Sequence, residues 1–217
     1  MDKPVPHLLI DSDSHISTTH EIWSRYLDPQ LMAHPEAPKY WQENGMGYRS
    51  IGRVTVPPRW PATVAPKPAT YQTPGPKGRP GATDPDFRVK DFLDVEGFDR
   101  SLLMPEAGWW PAGVVDTTLG NAMSEAYNNY LHDFARRQPT RLFGIGILNA
   151  ADPRHAVKEM RRCVKELGFP AVYLNNEVLG ARDDDYVIPS EEHYYPIYEE
   201  AGRLGVPIVL HAWIKFP

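Results

Sequence analysis

Three side chains with metal-ligand chemistry stand at the ends of apolar runs in this sequence. Asp13 and His15 close the run that begins LLIDSDSHI, and His211 closes the run PIVLHA. Residues two positions apart on a strand point to the same side, so Asp13 and His15 share a face. Imidazole and carboxylate groups bind zinc, and also manganese, iron or cobalt. The pattern therefore indicates part of a divalent-metal site.

The short Asp-x-His motif also has an ordinary structural interpretation. In that interpretation Asp11 and Asp13 are carboxylates of a strand end or turn, and His15 is an ordinary hydrogen-bonded residue. The second imidazole, His211, favours the metal, because the carboxyl ends of barrel strands meet at one face. By parity, Asp11 should lie on the same face one pleat deeper and orient a ligand, whereas Ser12 and Ser14 should face outward.

Apolar runs and helical patterns alternate along the chain. Continuous apolar runs predict buried strands at 8–15, 101–106, 142–149, 171–178 and 207–213. Helical spacing and capping residues predict helices at 117–137, 153–167 and 196–204. This alternation predicts an α/β fold with a parallel sheet, either doubly wound and open or part of a β/α barrel.

Two glycines and a cysteine within this pattern have ordinary interpretations. Gly144 and Gly146 lie inside the third predicted strand, so they are weak evidence for a nucleotide-binding loop. Cys163 lies on the apolar stripe of a predicted helix, which favours a small core residue over a reactive thiol.

Composition restricts the class of protein. The 217 residues are enough for one sizeable core, and the net charge of −5 is spread without a basic patch for nucleic acid. No apolar run is long enough to span a bilayer, and the N-terminus does not resemble a signal peptide. A single cysteine excludes an internal disulfide. We therefore expect a cytoplasmic protein with no nucleic-acid or membrane partner, in one domain over 1–217 with a proline-rich surface insertion at about 52–90.

The opening IDSDSHI, followed by EIWSRY, resembles the amidohydrolase-related family, which includes aminocarboxymuconate semialdehyde decarboxylase, hydroxybenzoate-type decarboxylases and hydrolases. The similarity continues through RLFGIGILNAADPRHAVKEMRRCVKELGFPAVYLN and YYPIYEEAGRLGVPIVLHA. It implies a (β/α)8 TIM-type barrel, of which this chain holds about the first five units. It also implies that Asp13, His15 and His211 bind one divalent metal, with zinc expected first and manganese or iron as alternatives.

The resemblance also indicates what the chain does not contain. Family members carry a further aspartate after the eighth strand, which binds the metal and moves the proton, so we expect the catalytic residue beyond Pro217. The fourth predicted strand has no lysine, which implies a mononuclear site. We expect the N-terminal part of a longer enzyme, inactive by itself and homo-oligomeric when complete.

Three residues at or after strand ends are candidates for substrate binding. Glu106 would contact substrate or cap a helix, and Trp110 would line a pocket for a planar molecule or lie in an exposed loop or interface. Asn175 would donate hydrogen bonds to a carboxylate or form a turn. The function expected is that of a metal-dependent hydrolase or non-oxidative decarboxylase acting on a small carboxylated or aromatic substrate. The alternative is a catalytically dead half-barrel that serves as a binding or dimerisation module.

Overall fold

The structure is a computed structural model. It describes residues 7–16, 20–43, 46–52, 54–56, 84–105, 113–174, 178–179, 186–187 and 190–210. The strands are β1 (Ile10–Ile16), β2 (Lys39–Glu43), β3 (Met46–Ile51), β4 (Val54–Val56), β5 (Arg100–Pro105), β6 (Leu142–Ile147), β7 (Ala171–Leu174), β8 (Val178–Leu179), β9 (Tyr186–Val187) and β10 (Ile208–Leu210). The helices are α1 (His20–Tyr26), α2 (Pro29–Met32), α3 (Pro85–Phe87), a π-helix (Arg88–Leu93), α4 (Asp94–Glu96), α5 (Thr117–Ala135), α6 (Pro153–Lys165), a 3-10 helix (Glu192–Tyr194) and α7 (Tyr195–Leu204).

A five-stranded parallel sheet forms the centre of the fold. Its strand order is β1-β5-β6-β7-β10, so each strand pairs with the next parallel strand along the chain. This progressive order is that of a β/α barrel, and it confirms the predicted incomplete barrel of five strands. All three predicted helices are present as α5, α6 and α7, with ends within two residues of those predicted.

The two faces of this sheet bury different sets of side chains. The larger cluster lies between the strands and the helices and includes Leu103, Leu131 and Cys163. The smaller cluster lies on the inner face and consists of Met104, Ile145, Ala171 and Tyr173. Successive residues of β5 therefore point in turn to the helices and to the barrel interior, as Leu103 and Met104 do.

Two glycines in β6 allow the helices to approach the sheet. A Cβ on Gly144 would lie 2.8 Å from Leu131 Cγ, and one on Gly146 would lie 2.7 Å from Cys163 Sγ. These glycines therefore serve the packing of the helices against β6. Cys163 is fully buried, and burial raises the pKa of its thiol well above the ordinary value, which confirms a core residue.

The first apolar run differs from the prediction. Leu8 and Leu9 precede β1 and are 55% and 52% exposed, and Ile10 is 44% exposed. The prediction that this run is buried was wrong, because β1 is an outer strand of the described sheet and nothing in the described residues covers these side chains.

Residues 20–56 contain regular structure that the sequence analysis missed. The helices α1 and α2 are followed by an antiparallel sheet of β2, β3 and β4. Asn44-Gly45, which joins β2 to β3 in the sequence, is typical of a two-residue hairpin and could have revealed this sheet. The predicted insertion at 52–90 thus contains β4 and the start of a helical segment, and its central part, 57–83, lies outside the described residues.

The helical segment before β5 also has a recognisable sequence pattern. Asp84 accepts hydrogen bonds from the N–H groups of Asp86 and Phe87, at 3.0 and 3.2 Å, and Pro85 takes the first helical position. Asp152 and Pro153 begin α6 in the same way. Among the described residues, no helix combines the length and the apolar character that crossing a membrane requires.

Candidate metal centre

Asp13 and His15 meet near the carboxyl end of β1. The His15 Nε2 lies 3.3 Å from the Asp13 Oδ1, and the two side chains are 29% and 65% exposed. His15 is in register with Met104, a member of the inner cluster, so the imidazole is on the barrel side of the sheet. The structure therefore places both predicted ligands together, at the strand end where barrel enzymes carry their chemistry.

The spacing of this pair suits a shared cation. Two ligand atoms bound to a tetrahedral cation at about 2.1 Å lie roughly 3.4 Å from each other. The observed separation of 3.3 Å is close to that value. A carboxylate oxygen and an imidazole nitrogen are also the ligand types that Zn²⁺ and Mn²⁺ accept. The described pair thus fits a divalent metal in both chemistry and spacing.

A β-bulge in β1 removes Asp11 from this face. Asp11 is in register with Ser101 and Ser14 with Leu103, so β1 advances three residues while β5 advances two. The extra residue reverses the alternation, and Asp11 pairs with Ser101, which lies on the helix side together with Leu103. Asp11 Oδ2 accepts a hydrogen bond from Ser101 Oγ at 3.4 Å. The prediction that Asp11 shares the face of Asp13 and His15 was wrong, because it assumed a regular strand; its Oδ1 instead accepts a hydrogen bond from the Asp13 main-chain N–H at 3.3 Å.

A buried arginine holds the main chain beside the pair. Arg88 is 3% exposed, and its Nη1 donates to Ser14 Oγ at 3.0 Å. Its Nη2 donates to the carbonyl oxygen of His15. Ser14 is in register with Leu103 and so points away from the barrel interior, as predicted. It is buried next to the Arg88 guanidinium. The sequence analysis missed Arg88, since a single arginine in a proline-rich region gives no pattern.

Glu36 attaches the antiparallel sheet to the segment that leads into α5. Its carboxylate accepts hydrogen bonds from the N–H groups of Val115 and Asp116, at 3.4 and 3.0 Å. Gly52, at φ 56°, approaches so closely that a Cβ there would lie 1.9 Å from the Gly113 carbonyl oxygen. The residues directly before α5 are therefore held by the segments that flank the β2–β3 hairpin.

Three histidines away from Asp13 and His15 have partners of their own among the described residues. His34 Nε2 lies 3.6 Å from Asp116, and His155 Nε2 lies 2.9 Å from Glu125. His193 Nε2 bonds the Ala150 carbonyl oxygen at 2.7 Å, which ties the segment before α7 to the segment after β6.

Four predicted site residues cannot be placed. His211, Glu106, Trp110 and Asn175 all lie outside the described residues. Within the part of the chain that the structure describes, no group of three or more histidine, cysteine, aspartate or glutamate residues gathers as a metal site would require. Of the three predicted ligands, the described structure therefore shows Asp13 and His15.

Comparison with known proteins gives the same family as the sequence motifs. The amidohydrolase family model matches residues 76–216. The chain is 33% identical over 131 residues to a gamma-resorcylate decarboxylase of Polaromonas sp. strain JS666, a match that covers 58% of this chain and 38% of that protein. It is 29% identical over 136 residues to the 2-amino-3-carboxymuconate-6-semialdehyde decarboxylase of Dictyostelium discoideum, covering 60% of this chain and 34% of that protein.

A solved structure extends the comparison to the fold. A dihydroxybenzoic acid decarboxylase of Polaromonas sp. JS666, with bound manganese and the inhibitor 2-nitroresorcinol, matches with a TM-score of 0.63 at 21% identity. That match covers 98% of this chain and 51% of that one. The chain thus spans only about a third to a half of the proteins it matches. Because the family model matches more than half of its residues, this chain belongs to the amidohydrolase family.

Proposed function

We propose that this chain is the N-terminal part of a metal-dependent enzyme that decarboxylates a small aromatic carboxylic acid without an oxidant. The observation that carries the proposal is the contact between Asp13 and His15, 3.3 Å apart near the carboxyl end of a barrel strand. Membership of the amidohydrolase family and the similarity to two decarboxylases support the reaction class. Hydrolysis of a related substrate is the alternative reaction at the same centre.

The proposed ligands are Asp13, His15 and His211, with a further aspartate supplied from beyond this chain. A divalent cation held there supplies Lewis acidity toward the carboxylate and phenolate oxygens of an aromatic acid. Both zinc and manganese suit the donor atoms, and the Polaromonas structure contains manganese, which makes Mn²⁺ the first cation to test.

The residues of the chain itself would bind and orient the substrate. Asp13 and His15 would hold the cation on the inner face of the sheet, where the buried cluster of Met104, Ile145 and Tyr173 supports the strands. We assign Glu106, Trp110 and Asn175 to substrate contacts, since all three lie at or just after strands of the sheet in the sequence.

A second candidate, a binding or dimerisation module without catalysis, is favoured by a different observation. Leu9 lies beside one outer strand and Leu210 on the other, and they are 52% and 54% exposed. Exposed apolar side chains at both sides of a sheet are typical of surfaces that further polypeptide covers.

The test uses the 217-residue chain stripped of metal and reloaded with Mn²⁺ or Zn²⁺. We expect 2-nitroresorcinol to bind only to the metal-loaded protein, and His15→Ala to abolish that binding. His155→Ala is the matched control, because His155 is engaged by Glu125 on the helix layer. Gamma-resorcylate should bind in the same way, and release of CO₂ should require the further aspartate proposed above. Metal-independent binding, or a stable dimer that takes up no metal, would favour the second candidate.

A further inference from the structure

Arg88 is a charged side chain in a buried position. It is 3% exposed and is the first residue of the π-helix, on the same helical surface as the buried Val89 and Leu93. Removing a guanidinium from water costs several kcal/mol unless hydrogen bonds replace the lost hydration. The contacts that Arg88 makes therefore explain why an arginine is tolerated there.

Those contacts converge on the end of β1. One terminal nitrogen donates to Ser14 Oγ at 3.0 Å and the other to the His15 carbonyl oxygen. The Arg88 Cζ also lies 5.6 Å from the ring centroid of Phe92, a cation–π contact one helical turn away. The planar guanidinium thus contacts Phe92 in its own helix and donates hydrogen bonds to Ser14 and His15 in β1.

The β1 main chain needs such an anchor at this point. The bulge leaves residues 12 and 13 outside the register with β5, and pairing resumes at Ser14. A bulged strand loses ladder hydrogen bonds and bends locally. The direction of the Asp13 and His15 side chains therefore depends on how firmly the first residues after the bulge are held.

We propose that Arg88 is a positioning residue for the metal centre, which it serves by holding the Ser14 side chain and the His15 main chain at the end of β1. This inference rests on the proposed function, because it requires Asp13 and His15 to bind a cation. It is distinct from a purely structural role, in which Arg88 would stabilise the fold without affecting metal geometry.

The test uses Co²⁺ as a spectroscopic probe of the full chain, since its visible absorption reports coordination geometry. Arg88→Lys keeps the charge but loses the fork that reaches two acceptors, and Ser14→Ala removes one acceptor while Arg88 stays. We expect Arg88→Lys to weaken Co²⁺ affinity about 10- to 100-fold and to change the Co²⁺ spectrum. Ser14→Ala should produce the same spectral change with a smaller loss of affinity.

Arg141→Lys is the matched control. Arg141 also bonds main-chain carbonyl oxygens, those of Phe98 and Asp99 at 2.9 and 2.6 Å, but at the start of β5. It should lower the free energy of unfolding and leave the Co²⁺ affinity and spectrum unchanged.

The outcomes separate the two proposals. If His15-dependent binding occurs in the unmodified protein but Arg88→Lys and Ser14→Ala keep its affinity and spectrum, the positioning role is wrong and the metal centre stands. If the unmodified protein shows no His15-dependent Co²⁺ binding, the proposed function and this inference are both wrong.

Discussion

The Nε2 atom of His15 lies 3.3 Å from the Oδ1 atom of Asp13, on a strand whose bulge turns Asp11 to the opposite face. Asp11, Asp13 and His15 occupy alternate positions in the sequence, but only Asp13 and His15 lie on the same face. Because of the bulge, Asp13 lies beside the imidazole, whereas Asp11 lies on the helix side and accepts a hydrogen bond from Ser101. The proposed metal site at this strand end would therefore use Asp13 rather than Asp11.

This arrangement predicts different effects for the two carboxylates. Asp13→Asn should weaken divalent-metal binding strongly, because it removes an anionic ligand. Asp11→Asn should leave metal affinity nearly unchanged, since Asp11 bonds Ser101 on the helix side and contacts Asp13 only through a main-chain N–H that an amide oxygen also accepts. Calorimetric titration of each apoprotein variant with Mn²⁺ measures both affinities. Equal losses in the two variants would contradict the assignment of faces.

Gly146 should be intolerant of a side chain. A Cβ at this position would lie 2.7 Å from Cys163 Sγ and 3.1 Å from Cys163 Cβ, so β6 and α6 would have to separate. We expect Gly146→Ala to lower the free energy of unfolding by about 1–3 kcal/mol, measured by urea unfolding.

Gly202→Ala is the control with the opposite sign. Gly202 lies in α7, and a Cβ there would meet nothing within 4 Å. Alanine is favoured over glycine in a helix, so we expect a gain of roughly 0.5–1 kcal/mol. A Gly146→Ala variant as stable as Gly202→Ala would show that β6 and α6 are not in close contact.

Asn128 should be essential for the carboxyl end of β6. Its amide accepts from the Ile147 N–H at 2.7 Å and donates to the Ile147 carbonyl at 2.9 Å and to Glu159 at 2.7 Å. Asn128→Leu leaves these buried groups without this partner, and we expect a loss of about 2–4 kcal/mol. Urea unfolding provides the measurement.

The neighbouring Asn129 is the control for that loss. It accepts one hydrogen bond from the Arg162 side chain at 2.8 Å in a partly exposed position. Asn129→Ala should therefore cost less than about 1 kcal/mol. If the two asparagine variants have the same stability, the β6 end does not depend on the Asn128 amide.

Glu200 should make stability depend on acidic pH. Hydrogen bonds from Arg161 and Arg203 lower the pKa of Glu200 from 4.5 to about 2. A carboxyl whose pKa is lower in the folded state contributes stability above the unfolded pKa. That contribution is present above pH 4.5 and disappears as the pH falls toward 2.

Glu200→Gln tests this directly. At neutral pH it should cost about 1 kcal/mol or less, because both guanidinium groups are half exposed to solvent. The difference from the unmodified protein should shrink as the pH falls from 4.5 toward 2. Glu199→Gln, at the exposed neighbouring position, is the control for a Glu-to-Gln change in this helix. A pH-independent cost for Glu200→Gln would contradict the proposed ion pairs.

The parallel part of the fold was predictable because its residues repeat a local pattern. Apolar runs and capped amphipathic helices gave all five strands and α5, α6 and α7, and the Asp-Pro pair gave the start of α6. The family resemblance gave the barrel, and alternation on a strand gave the contact between Asp13 and His15.

The remaining features depend on contacts distant in the sequence. The bulge in β1 is defined only by its register with β5, about 90 residues away, so parity alone misplaced Asp11. Arg88 and Glu36 acquire their roles from partners at Ser14 and Asp116, which no local pattern shows. The exposure of Leu8 follows from the position of β1 at one side of the described sheet.

The most direct test of the central claim is the metal content of the monodisperse 217-residue chain, measured by elemental analysis after dialysis against Mn²⁺ or Zn²⁺. We predict close to one cation per chain, lost in His15→Ala and His211→Ala and retained in His155→Ala. Folded protein without metal, or equal retention in all three variants, would contradict a centre built on Asp13, His15 and His211.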